Sequence, residues 1–300
     1  MNIVIAGGTG LIGSKIVEYF SNDKHHIYIL TRKSENKRNS EQITYVNWLN
    51  EGDEPEKKLE NIDVVINLAG ESINSRWTSE QKERILTSRL DATKNCLTLM
   101  EKLTQKPKVY LNASAVGFYG TSLSDTFTED DHDAGADFLA TVVESWEQEA
   151  IKAEALGIRT VLLRFGVVLA SDGGALSKMI MPYKLFAGGK VGSGKQWLSW
   201  VHIDDVVSMV EFAVNNEKIS GALNVTAPNP QQMKEFGAVL GNVLGRPHWL
   251  PAPSFALKIL LGEMSLLVLE GQKVLPIKAI DHGFQFTYPE LKAALKSLKL

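Results

Sequence analysis

The apolar positions of this chain fall in short continuous runs rather than in strict alternation. Ile3–Ala6, Ile27–Leu30, Thr44–Val46, Val64–Leu68, Val109–Ala113 and Thr160–Arg164 are rich in Val, Ile and Leu and are bounded by polar or glycine-containing sequence. Runs of this kind predict strands buried on both faces, as in a parallel sheet. Amphipathic helical spacing occupies Ser14–Phe20, Ser79–Leu103 and Asp137–Leu156. The alternation predicts an α/β fold, a Rossmann-type doubly wound parallel sheet. Further on, Asp204–Val214 predicts a helix, Ala222–Val225 a strand and Pro230–Leu244 a helix. Pro247–Pro253 carries three prolines, and the remainder is mostly helical to Pro289–Leu298. The expected division is a nucleotide-binding domain over 1–170, to which 200–226 returns, and a smaller, mostly helical C-terminal lobe from 171–199 and 227–300.

The first strand runs into Gly7-Gly8-Thr9-Gly10-Leu11-Ile12-Gly13 and then into helical sequence. Gly7 permits a tight turn, Gly10 lets backbone approach a pyrophosphate, and Gly13 lets helix pack hard on strand. The helix start offers unpaired N–H groups and positive dipole character to that anion. This turn, Gly7 and Thr9 through Gly13, is therefore the expected dinucleotide site. After the second strand, Thr31-Arg32-Lys33 occupies the place where an NAD-specific fold carries a carboxylate for the ribose hydroxyls. A basic pair suits a 2′-phosphate, which a guanidinium can grip bidentately. It is also what an ordinary charged strand end looks like. NADP(H) is the cofactor expected. At the end of the fourth strand, the small residues of Leu68-Ala69-Gly70 would let the adenosine side pass.

Composition narrows the partners. In 300 residues, 44% are hydrophobic and 22% charged, with a net charge of −3 and no basic stripe. That is an ordinary globular composition with no footprint for nucleic acid. The single cysteine, Cys96, excludes an internal disulfide. It points to packing and to a reducing, cytoplasmic compartment. The longest apolar-rich segment, Phe255–Leu269, is broken by Lys258, Gly262 and Glu263, so no membrane partner is expected. No His/Cys/Asp/Glu cluster has metal-ligand spacing.

GGTGLIG at 7–13, NLAG at 67–70, LNASAVGFYG at 111–120, LRFGVVL at 163–169 and WVHIDDVV at 200–207 together resemble the extended short-chain dehydrogenase/reductase superfamily. AGESI at 69–73, RWT at 76–78, SR at 88–89 and the tail from Trp249 to Pro276 are similar to its atypical "epimerase family protein" branch. The resemblance implies a Rossmann-type NADP lobe, a helical lobe over the cleft, and the homodimer common in the superfamily, through helices 79–103 and 137–156. It also implies Ser114 as the site serine and Arg164 beside the nicotinamide pocket, where Gly166 would allow close approach. The usual Tyr-x-x-x-Lys dyad should lie on 138–150, but Val142 and Trp146 stand there. Tyr288 with Lys292 repeats that spacing far away, at a helix entry.

The expected catalytic residues are thus Ser114, Tyr119 and Glu71, with Arg76, Lys82 and Glu144 as further ionisable groups. His202 before Asp204-Asp205 reads as a helix start. Gly188-Gly189-Lys190 and Gly192–Lys195 form either a lid or a plain turn. Two functions follow. One is an NADP(H)-dependent oxidoreductase or epimerase acting on a small polar or sugar-like substrate; the other is a non-catalytic NADP(H)-binding regulatory or redox-sensing protein.

Overall fold

The computed structural model describes residues 1–22 and 25–300. Its centre is a parallel sheet of strands β1 (Asn2–Ala6), β2 (His26–Thr31), β3 (Ile43–Asn47), β4 (Val64–Asn67), β5 (Val109–Ala115), β6 (Arg159–Phe165) and β7 (Gly221–Val225), in the order β7-β6-β5-β4-β1-β2-β3. The chain winds outward from β1 through β2 to β3, then restarts at β4 on the other side of β1. That reversal opens a crevice at the carboxyl ends of β1 and β4, where such sheets bind ligands.

Successive side chains of a strand point to opposite faces, and the two faces fill differently. Ile3, Ile5, Ile27, Ile29, Val64 and Ile66 pack against α1 (Leu11–Ser21) and, further along, α5 (Ile203–Asn215). Val4, Tyr28, Val65 and Tyr110 face α2 (Ser79–Lys102), meeting Cys96, Leu99 and Met100. Ile3, Val4 and Ile5 are 0% exposed, each worth about 1.5–3 kcal/mol of burial. Burial also pushes the Cys96 thiol up to about 12, so it packs as an uncharged hydrophobe.

Helices α3 (Phe138–Ala150), α4 (Gly174–Lys184), α6 (Met233–Leu244), α7 (Ser254–Leu261) and α8 (Leu291–Ser297) follow, with short helical turns at Leu266–Leu269 and Ile277–Asp281. Phe236 and Leu240 of α6 and Leu291 and Leu295 of α8 join the same apolar cluster as Val206, Met209 and Val210 of α5. Helices α6 and α8 therefore extend the core of the sheet. Two expected helices differ in their ends. The 137–156 segment leaves α-helix after Ala150 and finishes in 3-10 turns over Ile151–Leu156. The 230–244 helix starts only at Met233, because Gln231–Gln232 pair antiparallel with Trp197–Leu198.

At the outer edge of β7, side chains take the place of a further strand. Glu129 accepts the Asn224 N–H at 2.9 Å, and the Lys278 ammonium donates to the carbonyls of Ser220 and Ala222 at 2.9 and 2.6 Å. Asp205 in turn accepts the N–H groups of Thr287 and Tyr288, fixing the chain that enters α8. No helix among the described residues is long and apolar enough to cross a membrane.

His202 starts α5 as the sequence predicts: its Nδ1 accepts the Asp204 N–H at 3.1 Å, while Nε2 meets the Ser297 hydroxyl. Tyr288 packs on its ring, which is 2% exposed. Burial lowers its pKa, outweighing the carboxylates of Asp204 and Asp205 that raise it. The folded state therefore resists a proton that the unfolded chain accepts. Stability from this group should be full above the ordinary histidine pKa of 6.5 and fall as pH drops through the lower, folded value. Urea midpoints between pH 5 and pH 8 should show that decline, and it should be shallower in His202→Asn, which keeps an acceptor for Asp204. An unchanged slope in the variant would assign the acid sensitivity elsewhere.

Candidate functional site

At the end of β1 the chain turns at Gly7, φ +79°, with the Gly10 N–H donating back to the Gly7 carbonyl at 3.0 Å. A Cβ on Gly7 would lie 2.7 Å from the Leu68 carbonyl, and one on Gly13 only 2.2 Å from the Gly7 oxygen. The two strand ends and α1 are thus drawn together closer than side chains permit. Thr9 and Gly10 are exposed, Leu11 and Ile12 half-buried, and no side chain among the described residues caps the first N–H groups of α1. Those free donors, a positive helix end and a backbone stripped of side chains fit a pyrophosphate. They are the residues here that would hold a dinucleotide.

A buried polar network shapes the β4 end. Asn67 donates to Asn112 Oδ1 at 2.8 Å and to Thr93 Oγ1 at 3.2 Å, and its own Oδ1 accepts the Ala69 N–H at 3.1 Å. Tyr110 donates its hydroxyl to the same Asn112 oxygen at 2.6 Å. Asn67, Thr93 and Asn112 were not among the expected site residues. For Asn67 and Asn112 the signal is a polar amide within a strand that is otherwise apolar, where burial demands a partner; Thr93, on α2, carries no such signal.

Of the expected catalytic groups, Ser114 and Tyr119 are both committed inside the protein. Ser114 is 3% exposed and donates its hydroxyl in a short hydrogen bond to Glu147. Glu147 also receives Arg164 bidentately, Nε at 2.9 Å and Nη2 at 2.8 Å. Tyr119 is 4% exposed, donates to Asn224 Oδ1 at 2.8 Å and stacks on Phe127. Burial pushes its pKa up to about 12, despite the opposing charge of Arg164. A phenol held there does not exchange a proton readily near neutral pH. The Arg164 guanidinium, expected at the cofactor, lies instead beneath the Phe118 and Tyr119 rings at 3.6 and 4.8 Å from their centroids. Its Nη1 is buried without a partner among the described residues.

Glu71, in contrast, stands exposed on the loop after β4. Its N–H donates to Ser88 Oγ at 3.0 Å, and its carbonyl accepts Arg89 Nη1 at 3.1 Å. Arg76 is exposed, Glu144 half-buried, and Lys82 forms a close ion pair with Glu263. Val142 is buried beside Trp77 and Ile85, and Trp146 donates its indole N–H to Thr93 at 2.9 Å. Tyr288 lies on the approach to α8, packed on His202, and Lys292 in the first turn of that helix.

Thr31, Arg32 and Lys33 lie at the end of β2, both cations exposed and neither in an ion pair among the described residues. Gly166 is required by protein rather than by ligand: a Cβ there would sit 2.6 Å from the Ser199 carbonyl, which accepts the Val167 N–H. The glycine-rich 188–195 segment is tied down. Its Gly188 carbonyl accepts the N–H groups of Trp249 and Leu250, and Lys190 and Gly192 pair with Ala252. It is a braced turn rather than a loose lid.

The model of the NAD dependent epimerase/dehydratase family matches residues 3–226. The chain belongs to that family. A second model, the DUF1731 domain of unknown function, matches residues 252–298 of this family member. The epimerase family protein YfhF of Bacillus subtilis (strain 168) is 52% identical over 99% of this chain and 98% of its own. The crystal structure of human epimerase family protein SDR39U1 with NADPH is 31% identical, covers 99% of both chains and superposes with a TM-score of 0.87. A nucleoside-diphosphate sugar epimerase from Corynebacterium glutamicum is 29% identical over 99% of this chain and 58% of its own, with a TM-score of 0.77. The fold of this epimerase-family chain is accordingly the Rossmann-type parallel sheet with a helical C-terminal region.

Proposed function

We propose that this chain is an NADP(H)-dependent oxidoreductase or epimerase acting on a small polar or sugar-like substrate without the Tyr-x-x-x-Lys dyad. The observation that carries the cofactor assignment is the unpaired Arg32–Lys33 pair at the end of β2, beside a glycine turn that fits a pyrophosphate. A carboxylate at Thr31, Arg32 or Lys33 would repel a 2′-phosphate, whereas this pair attracts one. The NADPH bound by the human relative and the nucleoside-diphosphate sugar named for the bacterial one support the same reading.

When bound, the nicotinamide donates or accepts hydride. The chain supplies the rest. Residues Gly7 and Thr9–Gly13 hold the pyrophosphate, Thr31–Lys33 the 2′-phosphate, and Leu68–Gly70 give the adenosine side a path free of bulk. Segments 171–199 and 227–300 serve as the substrate lobe. With Ser114 donating to Glu147 and Tyr119 to Asn224, Glu71 is the one of the three expected catalytic residues left, with water, to exchange a proton. Those same two commitments favour a second reading, a non-catalytic NADP(H)-binding protein in which occupancy rather than turnover is the output.

Calorimetric titration with NADPH and NADH tests the cofactor assignment. Arg32→Ala should weaken NADPH about tenfold to a hundredfold, as for a lost charge-assisted contact, and leave NADH nearly unchanged. Equal weakening of both would refute the role given to Arg32. Oxidation of bound NADPH by any member of a carbonyl and nucleotide-sugar panel would select the enzyme over the sensor.

A further inference from the structure

Arg89 is a half-buried cation at the carboxyl edge of the sheet with part of its guanidinium unspent. It projects from α2 across the β4 end, where a Cβ on Gly70 would lie 3.2 Å from its Cγ and 3.3 Å from its Cζ. On another side its guanidinium lies 5.1 Å from the Trp146 ring centroid. Gly70 and Trp146 thus form a slot for a flat cation, and Trp146 is itself fixed by Thr93. Nη1 is spent on the carbonyls of Glu71 and Ile85, at 3.1 and 2.8 Å. Nε and Nη2 make no hydrogen bond to the protein among the described residues, yet neither is sealed from solvent. Among the described residues no carboxylate lies within ion-pair distance. Burial lowers the Arg89 pKa to about 10, the charge of Glu71 offsetting only part of the cost of desolvation.

Its position in the sheet order identifies what the free edge meets. Arg32 follows β2, the glycine turn follows β1, and Gly70 lies shortly after β4, so these three lie in that sequence along one edge. A dinucleotide with its 2′-phosphate at Arg32 and its pyrophosphate at α1 must carry its other half toward β4 and β5. Trp146 on α3, which packs against β5 and α2, bounds that side. We propose that the free edge of the Arg89 guanidinium binds the oxygens of the nicotinamide half, the ribose hydroxyls or the phosphate next to them. This inference rests on the cofactor cleft of the preceding section. Arg89 is in this view a binding residue that fixes the reactive half of the cofactor.

The test compares two ligands by calorimetry: NADPH, and adenosine 2′,5′-bisphosphate, which lacks the nicotinamide half. Arg89→Gln should weaken NADPH about tenfold or more, the loss typical of a hydrogen bond to a charged group, and leave the bisphosphate as tightly bound as in the wild type. Arg89→Lys keeps the charge and should fall between. It carries the same comparison should the glutamine variant not fold. Unchanged NADPH affinity overturns the proposal. So does equal weakening of both ligands, which would mean general damage to the loop that Arg89 braces. A wild-type protein that binds neither ligand refutes the cofactor reading itself, and this proposal with it.

Discussion

Replacing Glu147 with alanine should destabilise the protein by about 3–5 kcal/mol, the loss typical of a buried charge deprived of its partner. The Arg164 and Glu147 side chains are 4% and 7% exposed. Burial alone would lower the arginine pKa, but the hydrogen bonds and charge of Glu147 outweigh it and hold the pKa above its ordinary value. Without the carboxylate, the guanidinium stays pinned under Phe118 with no acceptor, and the Ser114 hydroxyl loses its acceptor as well. Urea unfolding would show the loss as a lower midpoint. The paired substitution Glu147→Leu with Arg164→Met should recover most of it, because an apolar pair of similar volume needs no desolvation. If Glu147→Ala were to unfold within about 1 kcal/mol of the wild type, the pair would be solvated in solution rather than buried.

Gly13→Ala is expected to abolish tight NADPH binding at a smaller cost in stability. Alanine is the better helix former, by about 1 kcal/mol. Its Cβ, however, would stand 2.2 Å from the Gly7 carbonyl and 2.8 Å from the Gly8 Cα. Those contacts are backbone, so relief requires the turn to move off the start of α1. Overpacking of this kind costs about 1–3 kcal/mol. The donors at the helix start then no longer face the turn, and affinity should fall by more than about tenfold, or 1.4 kcal/mol. Calorimetry on variant protein with an unchanged circular dichroism spectrum would measure this directly. Wild-type affinity would place the cofactor somewhere other than the glycine turn.

What the sequence made legible was local. The strands Ile3–Ala6, Ile27–Leu30 and Val64–Leu68 announce themselves because a strand buried on both faces needs an unbroken apolar run, and the glycines between strand and helix because only they tolerate such close backbone. His202 as a helix start was equally readable, since the cap and the acidic turn lie within three residues of it. The interior of the site was not. Ser114 meets Glu147 across 33 residues and Arg164 meets it across 17. Nothing in the local pattern says that these side chains spend their hydrogen-bonding capacity on each other. Arg89 was visible only as part of a family marker, because its slot is built from Gly70 and Trp146 on two other elements. Gly166 illustrates the converse: its presence was foreseen, but the group that approaches it is the Ser199 backbone. The 188–195 glycines left lid and turn equally open because the segment that braces them lies some sixty residues on, a separation of the kind seen for the Trp249–Phe186 bond.

The side chains along the free edge of β7 bear on how this protein behaves when crowded. An open parallel sheet ends in a row of unpaired amides and carbonyls that a strand from another molecule can adopt, which is how sheets recruit one another into aggregates. Here the outward-facing amide of Asn224 is occupied by Glu129, and the carbonyls of Ser220 and Ala222 by one lysine. Both caps come from segments outside the sheet, one before β6 and one after β7. A nascent chain that has completed β7 but not yet Lys278 therefore carries two open carbonyls, and this edge is closed to neighbours only when the segment around Lys278 arrives.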